Sequence, residues 1–223
     1  MNYIDRYIHR LKSKGDNMST SLINRSKRKT NDQFHTSPSY SIVKVNGIET
    51  DSIVNNTKEY TEKQIFFKPD VIKDIGSIVE YKEKTYLLMR FIENEIYPTA
   101  TLRLCNSTFP IETNKTPVLM RDEDGNPKKD KYNRPILSPS SGLPINKPCI
   151  VETKYYFNNR NEQVTLPEDR IMVTLKYQEA PNIEINEEFE MYKSRFRITF
   201  IDYSKVVNTV GVMTLTGERV MNK

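Results

Sequence analysis

The chain has 223 residues with 34 basic and 29 acidic side chains, and its hydrophobic content of 36% without any tryptophan is low for one dense core. Two cysteines, Cys105 and Cys149, are too few for the disulfide framework of a small secreted domain. No window approaches the ~18 apolar residues of a membrane span, and the first residues lack a signal-peptide core. The sequence therefore predicts a soluble protein made in the cytoplasm, with buried thiols and no membrane partner.

The excess positive charge lies at the N-terminus. Residues 1–36 contain eight basic and three acidic residues, which accounts for the whole net charge of +5 and leaves the rest of the chain neutral. Residues 2–14 place apolar side chains at helical spacing, with basic side chains on the other side. We therefore predict a basic helical arm over residues 1–37 whose apolar face binds a partner through five residues: Tyr3, Ile4, Tyr7, Ile8 and Leu11.

A second helix is predicted over Ser19–Phe34, which has a thin apolar stripe on one side and a solvated basic turn within it. Its cations could neutralise DNA phosphates without sequence preference, or they could dock on an acidic protein surface. Both alternatives stay open at this stage. The candidate contact residues are Arg25, Lys27, Arg28 and Lys29.

The remaining sequence is rich in strand patterns. Asn46-Gly47 lies between alternating apolar runs and predicts a type I′ hairpin. From Ile75 to Cys105, apolar strands alternate with short polar reversals, as in antiparallel meanders. We expect a mainly β fold of antiparallel meanders or small barrel-like lobes with an N-terminal α-helical arm. The predicted domains after the arm are a first β lobe at 38–120, a charged hairpin and Pro-rich linker at 121–148, and a second β lobe at 149–223.

The meander has a faint echo at a constant offset later in the chain. Ile75-Gly76 corresponds to Ile185-Asn186, and residues 86–88 correspond to 196–198. The similarity is one of pattern more than identity. It is compatible with an internal duplication of the lobe, and also with the chance resemblance of alternating strands.

Residues that could support catalysis are scarce. His9 and His35 are the only histidines, and both belong to the arm rather than to the β body. The seven glycines do not cluster into a phosphate-binding loop, and neither cysteine has a zinc-ligand spacing. We therefore expect a protein that is not an enzyme, with no catalytic residue, no cofactor and no metal.

Five segments together carry a resemblance: MNYIDRYIHRLKSKG, QIFFKPD, IGSIVEYKEKTYLLMRFIENEIYPTATLRLCNSTFPI, KPCIVETKYYF and LPEDRIMVTL. They resemble small virion structural proteins of long-tailed phages of Gram-positive bacteria. In such proteins a strand pair that begins Gly-Asp-x-Val-Glu leads to a Cys-Asn strand end. This chain has Cys105-Asn106 at the strand end, but Ser77-Ile78 stands where Asp-x is commoner.

The resemblance implies a head–tail connector or head-closure subunit that assembles as a ring beneath the portal, in virions built in the host cytoplasm. The implied partners are copies of itself, the portal, neighbouring neck, capsid or tail proteins, and packaged DNA contacted non-specifically. Two alternatives remain: another virion role, as a capsid accessory or tail protein, and a non-catalytic nucleic-acid-binding module that uses the basic arm.

Overall fold

A computed structural model describes residues 2–4, 7, 17–111, 118–119, 127–132, 134–138, 145–156, 163–165 and 169–220. Strands dominate these residues, and all their pairings are antiparallel. One long helix, α1, precedes them. The predicted mainly β fold class with barrel-like lobes is confirmed.

Helix α1 spans Met18–Gln33 and begins one residue before the predicted start. Its N-cap is Asn17, whose Oδ1 accepts a hydrogen bond from the Thr20 backbone N–H at 2.8 Å. The helix continues into a 3-10 turn at Phe34–Thr36, where Phe34 is only 2% exposed. The burial of Phe34 shows that the thin apolar stripe is long enough to fix the C-terminal end of α1 on the body of the protein.

Lobe 1 is a closed six-stranded barrel. Its turn at Asn46-Gly47 has positive φ angles of 50° and 84°, as a type I′ hairpin requires. The strand order is β1-β2-β3-β6-β5-β4, and pairing of β1 with β4 closes the barrel. The strands are β1 Tyr40–Val45, β2 Ile48–Asn56, β3 Glu62–Phe67, β4 Ile78–Tyr81, β5 Lys84–Ile92 and β6 Thr99–Leu104.

Lobe 2 follows after only two residues, Cys105 and Asn106. Its principal sheet has the order β7-β10-β13-β17-β15-β14, with β16 added beside β17. Two separate two-stranded sheets, β8 with β9 and β11 with β12, fall between its principal strands in the chain order. The strands are β7 Ser107–Ile111, β8 Val118–Leu119, β9 Leu137–Ser138, β10 Ile145–Glu152, β11 Lys154–Tyr156, β12 Gln163–Thr165, β13 Arg170–Lys176, β14 Glu188–Met191, β15 Ser194–Asp202, β16 Val206–Val207 and β17 Val210–Arg219.

The two lobes share one topology, since β7, β10, β13, β14, β15 and β17 occupy the places of β1 to β6 in the strand order. The β4–β5 hairpin of lobe 1 and the β14–β15 hairpin of lobe 2 also agree in detail. The β4–β5 and β14–β15 turns both have two residues with positive φ, and both β5 and β15 carry a bulge at the same place. Gly76 N–H donates to the Leu88 carbonyl and Asn186 N–H to the Ile198 carbonyl, both at 2.8 Å. The echo in the sequence therefore reflects a repeated structure.

The lobes differ in how they close. In lobe 1, two residue pairs join β1 to β4. In lobe 2, β7 and β14 are the two ends of the sheet order, and side chains bring them together. The ring centroids of Phe109 on β7 and Phe189 on β14 are 5.0 Å apart, and Asn182 Nδ2 donates to the Pro110 carbonyl at 2.7 Å. The core of lobe 2 is therefore enclosed by aromatic packing at this seam.

The expected boundaries at residues 120 and 149 do not match the strand pairing. Strand β7 begins at residue 107 and pairs with β10, so it belongs to lobe 2, and the segment 121–148 lies between these two strands instead of linking the lobes. The sequence conceals this pairing because residues 112–144 separate β7 from β10 along the chain, and because Pro110 lies within β7. β7 is a terminal strand of the sheet, and a proline is tolerated there because one edge has no ladder partner to lose.

An apolar interface joins the two lobes. Leu87 of lobe 1 is fully buried against Ile150 and Val212 of lobe 2, with partly buried lobe 1 side chains around them. At its margin the Arg103 guanidinium makes two hydrogen bonds to the Glu152 carboxylate. Asn106 holds the connection, because its side-chain amide exchanges two hydrogen bonds with the backbone of Val151. These contacts make the two lobes one packed unit.

Both thiols lie next to this interface and are free. Burial raises the pKa of Cys105 and of Cys149 to about 12, from an ordinary value of 9.0. Because the thiol pKa is higher in the folded chain, the thiols of the unfolded chain lose their protons at a lower pH than those of the folded chain. The stabilisation that the protonated thiols give is therefore complete below pH 9 and declines between pH 9 and 12.

We accordingly expect both thiols to react slowly with Ellman's reagent in the native protein and rapidly in urea. We also expect the free energy of unfolding to fall above pH 9. The double variant Cys105→Ala with Cys149→Ala is the control, because it should show a smaller fall over the same range. Rapid labelling of both thiols in the native protein would contradict the burial.

Candidate interaction surfaces

The predicted apolar face of the arm is solvent-exposed where it is described. Tyr3, Ile4 and Tyr7 are in helical conformation, and their side chains are 82%, 61% and 58% exposed. Ile8 and Leu11, the other two predicted contact residues, lie outside the described residues. Since three large apolar side chains project into solvent, the arm offers apolar area for contact with another molecule. Partner binding by this face remains a prediction.

The four candidate cations of α1 have different roles. Lys27 Nζ lies 2.7 Å from Asp70 Oδ1 on the β3–β4 connection, and this hydrogen bond raises the pKa of Lys27. Lys27 therefore docks the helix on lobe 1, a role that the sequence does not reveal. Arg25, Arg28 and Lys29 are exposed.

A cluster of aromatic and charged side chains anchors the end of α1. Asp51 accepts hydrogen bonds from the Tyr40 hydroxyl and from Lys68 Nζ. These bonds hold the pKa of Asp51 below its ordinary value, and the bond from Lys68 has the larger effect. Lys68 Nζ also lies 5.8 Å from the centroid of the Phe34 ring, and His35 packs edge-on against Tyr40. The cluster orients α1 over the outer surface of β1 to β3. Sequence analysis missed it because Asp51, His35 and Lys68 are far apart in the chain.

The charged hairpin predicted between residues 122 and 135 is partly described. Residues 127–132 and 134–136 are exposed, and a bridge between Lys129 and Pro135 together with the β8–β9 pairing shows that this excursion doubles back on itself. Tyr132 is 67% exposed, with Lys131 Nζ 5.0 Å from its ring centroid. The described part of this excursion is therefore a second exposed surface on lobe 2.

Groups suited to chemistry do not converge in the described part of the chain. Among those residues, no three His, Cys, Asp or Glu side chains come together as metal ligands. His35, one of the two histidines, is engaged by Tyr40 and Lys68 in the anchor of α1. Within the same residues, no helix is long and apolar enough to cross a membrane.

Comparison with known proteins places lobe 2 in a family. The model of the YomX C-terminal domain matches residues 107–218, which is half of the chain. The chain belongs to the YomX C-terminal domain family. The match begins at the first residue of β7 and ends in β17, so this family domain coincides with lobe 2.

A relative in Bacillus subtilis (strain 168), the SPbeta prophage-derived uncharacterized protein YomX, is 23% identical over 184 residues. The alignment covers 79% of this chain and 81% of the relative. It is longer than lobe 2, so the similarity extends into the N-terminal half. No solved structure matches the chain. The comparisons indicate a phage-derived protein, in agreement with the coarser part of the resemblance seen in the sequence.

Proposed function

We propose that this protein is a structural component of the phage particle, and that it acts as a head–tail connector or head-closure subunit in a ring beneath the portal. Three observations support the proposal: the similarity to a prophage-derived protein, the packed pair of β lobes, and an N-terminal arm that offers an apolar face to solvent. Its partners in this role are copies of itself and neighbouring neck proteins.

The exposed apolar face of the arm carries the proposal. Isolated helices shorter than ~12–15 residues are marginal in water, so a short amphipathic arm gains stability only by burying its apolar face. Tyr3, Ile4 and Tyr7 are more than half exposed in the single chain. A subunit of a larger assembly provides the missing surface, which a monomeric binding protein does not.

The direct test is to look for the protein in phage particles and to measure its oligomeric mass. Mass spectrometry of purified particles should detect the chain in stoichiometric amounts, and negative-stain imaging of the isolated protein should show rings. Absence from purified particles, or a monomer at high concentration, would contradict the structural role. An antibody label at the neck would distinguish a connector from a capsid accessory or tail protein.

The arm gives a more specific prediction. The double variant Ile4→Ser with Tyr7→Ser should weaken ring formation roughly tenfold or more, since burying each such side chain is worth about 1.5–3 kcal/mol. Analytical ultracentrifugation measures the effect. The matched control is Arg6→Ser with Arg10→Ser, two residues on the opposite side of the predicted helix, which should leave assembly nearly unchanged. An equal loss of ring formation in both variants would show that the apolar face has no special role in assembly.

A second candidate function is non-specific binding of nucleic acid, favoured by the exposed cations Arg25, Arg28 and Lys29. Phosphate contact would give an affinity that falls steeply with salt concentration. Titration of duplex DNA at low and high salt tests it. This candidate predicts that the cations matter and that Ile4 and Tyr7 do not, which is the reverse of the prediction for the arm.

A further inference from the structure

The interface between the lobes joins two different faces of the same fold. Lobe 1 contributes Ile75 from the turn before β4, Ile78 from β4 and Leu87 from β5. Lobe 2 contributes Ile150 and Val212, from β10 and β17, which are not the counterparts of those strands. Packing of unlike faces is heterologous, and repetition of such a contact between molecules produces rings or filaments. The chain therefore contains one head-to-tail contact of its own fold.

The corresponding face of lobe 2, on β14 and β15, is exposed in the part of the chain that the structure describes. In the repeat, Ile185 takes the place of Ile75, and its side chain is 59% exposed. Glu188 and Arg197 take the places of Ile78 and Leu87 and pair with each other at 3.1 Å. This face is therefore more polar and more exposed than its counterpart in lobe 1. A partner must complement its charged side chains as well as bury Ile185.

Acidic side chains surround Ile185. The segment 184–190 contains four glutamates and no basic residue. Glu188 is engaged by Arg195 and Arg197, whereas Glu184, Glu187 and Glu190 are exposed. We name this segment the acidic edge of lobe 2. A protein surface that combines exposed cations with one apolar side chain would complement it.

Lobe 1 carries such a surface. On lobe 1 the counterpart of Ile150 is Ile53, which pairs in register with Tyr40, and the ring of Tyr40 lies 6.3 Å from that of Phe34 at the end of α1. Helix α1 is therefore anchored beside the face of lobe 1 that corresponds to the interface on lobe 2. Its outward residues are Leu22, 56% exposed, and the cations Arg25, Arg28 and Lys29.

We propose that α1 of one copy binds the acidic edge of lobe 2 of a second copy, so that the molecules associate head to tail. Three exposed cations face three exposed glutamates, and Leu22 can pack on Ile185. This contact between molecules repeats the head-to-tail arrangement that the two lobes already have within one molecule. It rests on the proposed function, because it supplies the contact between adjacent subunits of the ring. Binding of α1 to DNA phosphates is the competing use of the same cations.

Charge reversal on each surface tests the contact in the full-length protein. The helix variant is Arg25→Glu with Arg28→Glu and Lys29→Glu; the edge variant is Glu184→Lys with Glu187→Lys and Glu190→Lys. Each alone should weaken association roughly tenfold or more at low salt, because three exposed pairs become repulsive. The control is Lys58→Glu with Lys84→Glu and Lys205→Glu, the same change of charge at exposed lysines elsewhere, which should have little effect.

Two combinations make the test specific for a head-to-tail contact. In a mixture, the unaltered helix of the edge variant meets the unaltered edge of the helix variant, and the reversed helix meets the reversed edge. The mixture should therefore recover assembly, with the two variants alternating. A single chain that carries both sets of reversals has its charges exchanged and should recover assembly. Sedimentation velocity, after nuclease treatment, measures each species.

Recovery of assembly both in the exchanged chain and in the mixture would establish the contact. Assembly that is unchanged by either reversal would overturn it and leave the ring proposal standing. A wild-type protein that is monomeric and absent from phage particles would overturn both. Loss of DNA affinity in the helix variant, with assembly of the edge variant intact, would assign the cations to DNA instead.

Discussion

Leu88→Asp is expected to unfold lobe 1. Leu88 on β5 has no solvent exposure and belongs to the barrel core, where it pairs with Leu102 on β6. A carboxylate there would be buried without a partner, which costs several kcal/mol, a large part of the about 5–15 kcal/mol that stabilises a whole domain. Because lobe 1 supports α1 and one side of the lobe interface, the loss should extend to both.

The measurement is circular dichroism during thermal unfolding, with tyrosine fluorescence as a second probe because the chain has no tryptophan. Arg90→Asp is the matched control: the residue is exposed on the same strand, and its replacement should change the unfolding temperature little. A cooperative native-like transition for Leu88→Asp would show that β5 does not face the core in the way described.

The strand content was predictable because local sequence determines it. The Asn46-Gly47 turn and the alternation along β1 and β2 give one hairpin register, and the structure has it. The repeat of the meander was also visible, though only as a pattern. Its structural basis is the geometry of the β4–β5 and β14–β15 hairpins, in which turns, bulges and register all recur.

The association of the lobes was not predictable from these patterns. Leu87 and Leu88 are adjacent on β5 and both fully buried, one against lobe 2 and one inside the barrel. A continuous apolar run indicates burial on both faces of a strand, but it does not say what covers the second face. The assignment of β7 failed for a related reason, since the long segment 112–144 separates it from its partner β10.

The candidate surfaces were predicted by composition but not in detail. The apolar face of the arm and the four cations of α1 were evident from residue spacing. That Lys27 is occupied by Asp70, far along the chain, depends on where the β3–β4 connection passes the helix. The acidic edge of lobe 2 is not among the predicted contact residues, because nothing in its local sequence shows that the equivalent face of lobe 1 is an interface.

Gly76→Ala is the substitution expected to separate the lobes. A Cβ at Gly76 would overlap the backbone oxygen of Gly211 on β17 and lie 2.9 Å from its carbonyl carbon, a clash that only movement of one backbone away from the other can relieve. The φ of +86° adds the cost of a left-handed conformation for alanine, about 1–2 kcal/mol. Overpacking adds typically about 1–3 kcal/mol. The free energy of unfolding should therefore fall by about 2–5 kcal/mol.

The repeated fold supplies an internal control for this prediction. Asn186 is the counterpart of Gly76, with a φ of +76° and the same hydrogen bond to the following strand, but it is exposed and faces no second lobe. Asn186→Ala should cost only the conformational strain, about 1–2 kcal/mol. The difference between the two variants in urea unfolding measures the contact between the lobes. We expect wild type to unfold in one transition and Gly76→Ala in two, because the lobes then lose their coupling; equal costs and a single transition in both variants would show that Gly76 and Gly211 do not touch.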